Sequence, residues 1–210
     1  MHTSHRTAVS RPLHRLALVS ISLLIGFATL ASVSTTANAE SSAEVKAQAT
    51  YARQARDAGL SSQQALRLQN RVDERLDSMK VDAHQVGFNE IATDDGFAKI
   101  TFPQPADDGD QLVCATDSPG YLCLYAGDYY DHEVISFYEC AWALLADFGF
   151  QNRLTSYKNN QTDGTRAKFY TRDSDFNLIY EFDSVAPHKE PDLDRWNYGW
   201  NNEIDEVKVC

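Results

Sequence analysis

The sequence predicts a mainly β domain, a sandwich of short strands, preceded by a helical segment. Beyond residue 112, stretches of alternating apolar and polar residues are separated by turn clusters, at a spacing typical of all-β sandwiches. Between residues 41 and 80, two helix-capping patterns each precede a helix-favouring stretch. All four cysteines lie in the C-terminal half, where the strands are predicted. We therefore expect helices first and a disulfide-containing β domain after them.

Residues 1–39 have the composition of a secretory signal peptide. Three arginines precede an apolar stretch from Leu16 to Ala31, and Ala37-Asn38-Ala39 then places small residues where a signal peptidase reads them. A membrane anchor is the alternative, but the apolar stretch is shorter than the ~20 residues that span a bilayer. We therefore predict cleavage before Glu40 and a secreted, extracellular protein whose mature chain has no membrane span.

The segment 40–80 is predicted to form two helices. Ser41-x-x-Glu44 is a capping box that precedes an alanine-rich run, and Gly59 can end the first helix in a left-handed conformation. Ser61-x-x-Gln64 is a second capping box. It predicts that another helix begins directly after Ser61.

This second helix is amphipathic. Apolar residues recur at steps of three and four and share one face: Ala65, Leu68, Val72, Leu76 and Met79. The charged residues between them are assigned to the solvent side: Asp73, Glu74, Arg75 and Asp77. The apolar face either packs against its own domain or docks another molecule, and we favour the first.

The segment 81–111 is predicted to contain a β-hairpin and a linker. Asp94-Asp95-Gly96 lies between two apolar stretches, which is a common hairpin pattern. The residues from Pro103 to Gln111 are rich in proline, glycine and aspartate. We therefore place a domain boundary there, before a separate β domain over 112–210.

The β domain is predicted from four alternating stretches, namely Tyr121–Tyr125, Glu133–Tyr138, Ala167–Thr171 and Asn177–Phe182. Turn clusters lie between them, including one at Arg172–Asp175. All three tryptophans fall in this half of the chain: Trp142, Trp196 and Trp200. We expect most of these aromatic residues to form the core and corners of the sandwich.

The cysteines Cys114, Cys123, Cys140 and Cys210 are predicted to form two disulfides, since the chain is expected in an oxidising compartment. Four cysteines allow three pairings. We favour Cys114–Cys123, which closes a short loop, together with Cys140–Cys210, which ties the chain end to the middle. A metal site is the alternative, but the cysteines lack the close paired spacing of zinc ligands.

Charge and histidine content disfavour several functions. The net charge is −11, and removing residues 1–39 takes away three arginines and no acidic residue. Such an acidic chain repels phosphate backbones, so a nucleic-acid partner is not expected. Only His84, His132 and His188 remain after cleavage, and neither His-Glu-x-x-His nor Gly-x-Ser-x-Gly occurs. We therefore predict no catalytic residues and no enzyme activity.

Four stretches form an ordered set of motifs. Cys114 with Ser118–Tyr125 resembles an opening Cys…Gly-aromatic-x-Cys-x-Tyr, and Phe137–Trp142 resembles a Phe-x-x-Cys-x-Trp step. Asp147–Ser156 resembles a Gly-Phe-Asn-Asp-x-x-Ser-Ser corner, and Asn201–Cys210 a closing Asn-Asp followed by Val-Cys. In order and spacing these motifs resemble the actinobacterial metalloproteinase-inhibitor family, whose members are secreted βγ-crystallin-like domains.

The resemblance implies a βγ-crystallin-like Greek-key sandwich that inhibits an extracellular peptidase by rigid-domain binding, and the expected peptidase is a metalloproteinase. We expect the protein to be a monomer whose partner is that peptidase. The founding inhibitors carry their reactive bond in a second short disulfide loop. This chain has no second close pair of cysteines there. The resemblance therefore assigns the inhibitory loop to no residue.

The same resemblance implies a candidate calcium site. βγ-Crystallin motifs bind Ca²⁺ through Asn/Asp-Asn/Asp-x-x-Ser/Thr-Ser, a pattern rich in oxygen ligands. Gln151–Ser156 and Asn201–Glu206 each match in part. The candidate ligands are Asn152, Thr155, Asn202 and Asp205. The alternative to a calcium site is that Thr155 and Ser156 close a corner by hydrogen-bonding the backbone. The alternative to inhibition is a calcium-stabilised structural or cell-surface binding module without inhibitory activity.

Overall fold

A computed structural model describes residues 36–104, 114, 120–195 and 199–210, with side chains from residue 45 onward. The predicted signal peptide falls almost entirely outside the described residues, so its cleavage stays a prediction. Within the described part of the chain, no helix has both the length and the apolar character needed to cross a membrane. Residues 41–210 form one compact unit.

Two helices open the described chain. Helix α1 spans Thr36–Asp57 and α2 spans Ser62–Ser78. The capping box at Ser61 is confirmed, because its side chain accepts from the Gln64 amide and the Gln64 side chain accepts from the Ser61 amide. Gly59 adopts a φ of +86°, as predicted for the residue that ends α1. Ser41, however, lies inside α1 and does not begin it.

Helix α2 packs against its own domain. Leu68 and Val72 are fully buried, and Ala65, Leu76 and Met79 pack against the same core cluster. The structure therefore favours the first of the two interpretations of this amphipathic face. The assignment of Arg75 to the solvent side is wrong, since its side chain is buried against the sheet.

Eleven strands are present in the described residues. They are β1 Ala83–Gly87, β2 Glu90–Thr93, β3 Ala98–Thr101, β4 Tyr121–Tyr125, β5 Val134–Phe137, β6 Trp142–Leu144, β7 Ser156–Asn160, β8 Arg166–Arg172, β9 Leu178–Val185, β10 His188–Glu190 and β11 Glu206–Lys208. Two 3₁₀ helices lie between strands, at Asp128–Tyr130 and Leu145–Phe148. The four strands predicted in the C-terminal half all appear, as β4, β5, β8 and β9.

The strand order shows a Greek-key sandwich of the βγ-crystallin type. One sheet contains the order β5-β4-β7-β10, and the other has β9-β8-β11-β6. The two orders are equivalent when the first half, β4 to β7, is superposed strand by strand on the second half, β8 to β11, so that β4 corresponds to β8 and β7 to β11. Each half therefore gives its third strand to the other sheet, β6 in one direction and β10 in the other. This exchange joins the halves into one sandwich and confirms the predicted fold class.

The first three strands extend one of these sheets. A turn at Asp94–Gly96 joins β2 to β3, as the sequence predicts. Strand β3 then pairs antiparallel with β5, from Ala98 opposite Phe137 to Thr101 opposite Val134. The hairpin and the later strands thus share a seven-stranded sheet, and the structure joins segments that the sequence places on two sides of a boundary.

The core lies between the two sheets and below α2. Its largest fully buried apolar side chains include Phe137, Phe150, Phe169, Leu122, Leu124 and Ile135. Trp200 stacks on Phe182 at a centroid distance of 4.4 Å, as expected for a corner residue. Trp142 does not follow that expectation, because its side chain is half exposed on the outer face of β6.

Both favoured disulfides are confirmed. Cys114 pairs with Cys123 at a Cα–Cα distance of 5.9 Å, and Cys140 pairs with Cys210 at 5.0 Å. These distances lie within the normal range for disulfides. The pairing leaves no free cysteine in the protein, and it agrees with an oxidising, extracellular environment.

Candidate functional site

The fold brings the two predicted calcium motifs together. The Gln151 side chain donates from Nε2 to Oδ1 of Asp205 at 2.7 Å. The Thr155 hydroxyl lies 3.5 Å from Oδ1 of Asn202, and the Asn202 amide donates to the Leu154 carbonyl at 2.9 Å. The two stretches occupy equivalent positions in the two halves, each leading into the last strand of its half.

These residues mainly build two closed corners. Asn152 and Asn202 both adopt left-handed conformations, with φ of +53° and +59°. At the first corner, Ser156 donates from its hydroxyl to the Gly127 carbonyl at 2.6 Å and accepts from the Tyr130 amide at 3.1 Å. At the second, Asp205 Oδ2 accepts from the Arg172 amide at 2.8 Å.

The one carboxylate among the predicted calcium ligands is already engaged by the chain itself. Calcium takes six to eight oxygen ligands, usually with several carboxylates among them. Asp205 is the one carboxylate of the four predicted ligands, and each of its oxygens already accepts an N–H donor. The Arg172 guanidinium also pairs with Glu206 beside it. The geometry suits hydrogen-bonded corners better.

A second feature is the tight loop between β8 and β9. Oδ1 of Asp173 accepts from the amides of Asp175 and Asn177, each at 2.9 Å. Oδ2 accepts from the Asn177 side chain at 3.1 Å. The Asn177 side-chain bond, followed by these backbone bonds, lowers the pKa of Asp173 below its ordinary value. One aspartate therefore organises the whole turn.

This loop presents Phe176 to solvent. Its side chain is 76% exposed, the highest value among the large apolar residues of the described chain. Its φ is +63°, and its carbonyl accepts from Nη1 of Arg172 at 2.9 Å. A cleft of about 460 Å³ lies beside it, bordered also by Glu181 and Trp200. The sequence indicates the turn here but gives no sign that Phe176 is held outward.

The strand that follows the loop is also unusually apolar on the outside. Leu178, Ile179 and Tyr180 are 39%, 43% and 52% exposed. Tyr180 contacts Tyr170 at a centroid distance of 5.8 Å, and Tyr170 contacts Trp142 at 5.1 Å. Leu178 and Tyr180 share one face of β9, while Ile179 points to the opposite face. Exposed apolar surface of this kind is typical of interaction sites. The loop and β9 together form the candidate binding surface, residues 173–180.

A buried ion pair lies elsewhere, between α2 and the sheet. Nη2 of Arg75 lies 2.8 Å from Oε2 of Glu133, and Nη1 of Arg153 lies 3.1 Å from the same oxygen. Arg75 also donates to the Phe148 and Gly149 carbonyls. Burial raises the pKa of Glu133 to about 7, although both Arg75 and Arg71 act to lower it. This cluster anchors the helix and lines a small cavity of about 290 Å³.

Comparison with known proteins identifies no family. No family model matches the chain, and no curated protein matches it. A solved structure reported as "Evolution of the eye lens beta-gamma-crystallin domain fold" is similar, with a TM-score of 0.33 and 16% identity. The match covers 43% of this chain and 85% of that chain. The assignment of the fold rests on the strand order described above.

Proposed function

We propose that the protein is a secreted inhibitor of an extracellular peptidase, with a metalloproteinase as the expected target. In this proposal the loop between β8 and β9 enters the substrate-binding cleft of the peptidase, and Phe176 fills an apolar pocket there. The observation that supports it is the combination of high exposure and fixed geometry at Phe176. Aromatic side chains at the centre of an interface often supply much of the binding energy.

Preorganisation makes this loop suitable for inhibition. The carboxylate of Asp173 accepts three hydrogen bonds within the turn, and the Phe176 amide donates to the Asp173 carbonyl at 3.0 Å. A loop already held in one conformation loses little entropy when it binds. Peptidases cleave flexible chains readily, so a rigid loop is also a poor substrate for the enzyme that binds it.

The scaffold supports the same role. Cys140–Cys210 joins two segments 70 residues apart, and β6 is paired with β11 from the other half of the sandwich. Strand β11 pairs in turn with β8, the strand that leads into the loop. The strand at the base of the loop is therefore paired with β11, which lies next to the Cys140–Cys210 disulfide. The resemblance to metalloproteinase inhibitors supplies the expected class of target.

The test is inhibition of a metalloproteinase by the purified, oxidised protein. We expect thermolysin, assayed with a peptide substrate, to lose activity as the protein is titrated in. Phe176→Ala is expected to weaken inhibition by roughly 30-fold or more, the range of an interface hot spot. Tyr129→Ala is the matched control, because Tyr129 is also exposed, aromatic and at positive φ, but lies in the first half of the sandwich.

Two outcomes would contradict the proposal. One is full activity of thermolysin and of several other secreted metalloproteinases in the presence of excess protein. The other is inhibition that Phe176→Ala and Tyr129→Ala leave equally intact, which would place the inhibitory contact elsewhere on the molecule.

A further inference from the structure

The two halves of the sandwich differ at one equivalent edge. In the first half, β5 is covered by β3, which pairs with it over four residues. In the second half, the equivalent strand is β9, which ends its sheet with no further strand beside it among the described residues. The chain thus adds its own strand at one edge and leaves the matching edge open.

The hairpin register indicates which backbone groups point outward on β9. The Asp173 amide donates to the Asn177 carbonyl at 3.1 Å, so residues 173 and 177 form a hydrogen-bonded pair. Hydrogen-bonded and non-hydrogen-bonded pairs alternate along an antiparallel ladder. Leu178 and Tyr180 oppose Arg172 and Tyr170 and belong to the non-hydrogen-bonded set. Their amide and carbonyl groups therefore face the open edge.

Over these residues, the open edge has few features that would prevent another strand from pairing with it. Natural edge strands usually avoid unwanted pairing with charged side chains, proline or a bulge. Residues 178–180 contain none of these, and their three apolar side chains are exposed. The bulge comes after them, where Glu181 has no register partner and its side chain bonds Thr171 and Trp200. Residues 178–180 at the start of β9 therefore form a regular, apolar strand edge that is available for pairing.

We propose that residues 178–180 of β9 form a strand-pairing edge for the peptidase that the Phe176 loop engages. A strand bordering the substrate cleft of the peptidase adds to β9 as β3 adds to β5. The position favours this occupant, since Leu178 lies two residues from Phe176, about 7 Å along an extended chain. A loop inserted in the cleft therefore places the β9 edge against the cleft rim. Backbone hydrogen bonds are the usual basis of such strand addition. This inference rests on the proposed function.

Leu178→Pro tests the edge, because it removes one outward amide and keeps an apolar side chain. Proline is tolerated at the first residue of an edge strand. We expect the inhibition constant against thermolysin to rise about tenfold, which corresponds to the loss of one backbone hydrogen bond across the interface. Val86→Pro is the matched control: Val86 lies on β1, the edge strand of the other sheet, and is 41% exposed against 39% for Leu178. Its inhibition constant should change less than about twofold.

A second pair of variants tests the same edge without introducing proline, so that a proline-induced folding defect is not mistaken for lost pairing. Leu178→Lys keeps the amide but places a charge on the edge, and Val86→Lys is its control. Circular dichroism and melting temperature verify that each variant is folded. Leu178→Lys is expected to weaken inhibition in the same direction, and Val86→Lys is expected to leave it unchanged.

The outcomes separate the two proposals. Suppose that the unaltered protein inhibits and that Phe176→Ala weakens inhibition as expected. If both Leu178 variants then bind as tightly as their controls, edge pairing is wrong while the proposed function stands. If the unaltered protein inhibits no metalloproteinase, both proposals fail. If light scattering shows a dimer that Leu178→Pro converts to a monomer, the occupant of the edge is a second copy of the chain, and the inference is overturned.

Discussion

The guanidinium of Arg75 lies 2.8 Å from the carboxylate of Glu133, and both side chains are 7% exposed. The pair joins α2 to the segment that leads into β5, across 58 positions of the chain. Removing one member of a buried ion pair leaves the other charged and unpaired, which is strongly destabilising. The position of α2 on the sandwich therefore depends on a polar contact as well as on its apolar face.

Replacing Arg75 is expected to lower the free energy of unfolding. Arg75→Met leaves the Glu133 carboxylate with only the more exposed Arg153 as a partner, so we expect a loss of about 3 kcal/mol in urea unfolding at pH 8, the lower end for a broken buried pair. Arg67→Met is the control, since Arg67 is exposed on the same helix and should stay within about 0.5 kcal/mol. Equal losses in the two variants would show that the ion pair does not hold the helix.

The raised pKa of Glu133 predicts a stability that falls as pH rises. Its ordinary value is 4.5 and its folded value is about 7, because burial disfavours the charged form. Below pH 4.5 both states are protonated, and between 4.5 and 7 only the folded state keeps the proton. The free energy of unfolding should therefore fall across this window, by up to about 3 kcal/mol, and level off above it.

Urea unfolding from pH 4.5 to 8 measures this dependence. Glu133→Gln has no titrating group at the position, so its profile should be flatter than that of the unaltered protein over the same window. Identical slopes for the two proteins would assign the pH dependence to other groups.

Calcium is expected to leave stability unchanged. The Asp205 carboxylate accepts from Gln151 and from the Arg172 amide, so the corner is closed by the chain itself. Melting curves with excess calcium and with a chelator should coincide, since a ligand of the native state would raise the melting temperature. A calcium-dependent rise that Asp205→Asn abolishes would refute the corner interpretation and establish a site there.

The two disulfides are expected to contribute unequally. Chain-entropy arguments give about 4 kcal/mol for a loop of the size closed by Cys140–Cys210 and about 3 kcal/mol for the shorter loop of Cys114–Cys123. The sequence separations are 70 and 9 residues. Paired Cys→Ser variants, compared by urea unfolding, should show the larger loss for the longer loop. The reverse order would indicate that native packing dominates over loop entropy.

Local features were predictable where neighbouring residues determine them. The capping box at Ser61, the left-handed Gly59 and the Asp94–Gly96 turn each depend on a few adjacent residues, and each is confirmed. Strand β8 alternates between buried and more exposed residues over most of its length, whereas β4 is buried almost throughout despite its alternating sequence. Strands β6, β10 and β11 have three residues each and were not predicted, because so short a stretch shows no periodicity. The five-residue β7 was not predicted either. They exist through pairing with strands distant in the chain.

The binding surface was beyond prediction for a related reason. A turn at Arg172–Asp175 follows from its polar residues, but the exposure of Phe176 depends on how Asp173 directs the loop away from the core. In the same way, a helical projection places Arg75 on the polar, external side of α2, yet Glu133 approaches it from a different part of the fold. Periodicity assigns a side chain to a face of its own element and carries no information about what lies opposite.

The sequence by itself determined the helices, the main strands, the mainly β class and the favoured disulfide pairing. It did so because capping and alternation act over short distances along the chain, and because Cys114 and Cys123 are only nine residues apart, which leaves Cys140 to pair with Cys210. Only the tertiary structure decided that β3 joins the sheet at β5, that β6 and β10 are exchanged, and that β9 is left with an open edge beside Phe176. These features depend on contacts between residues far apart in sequence, which form only when the two halves pack together.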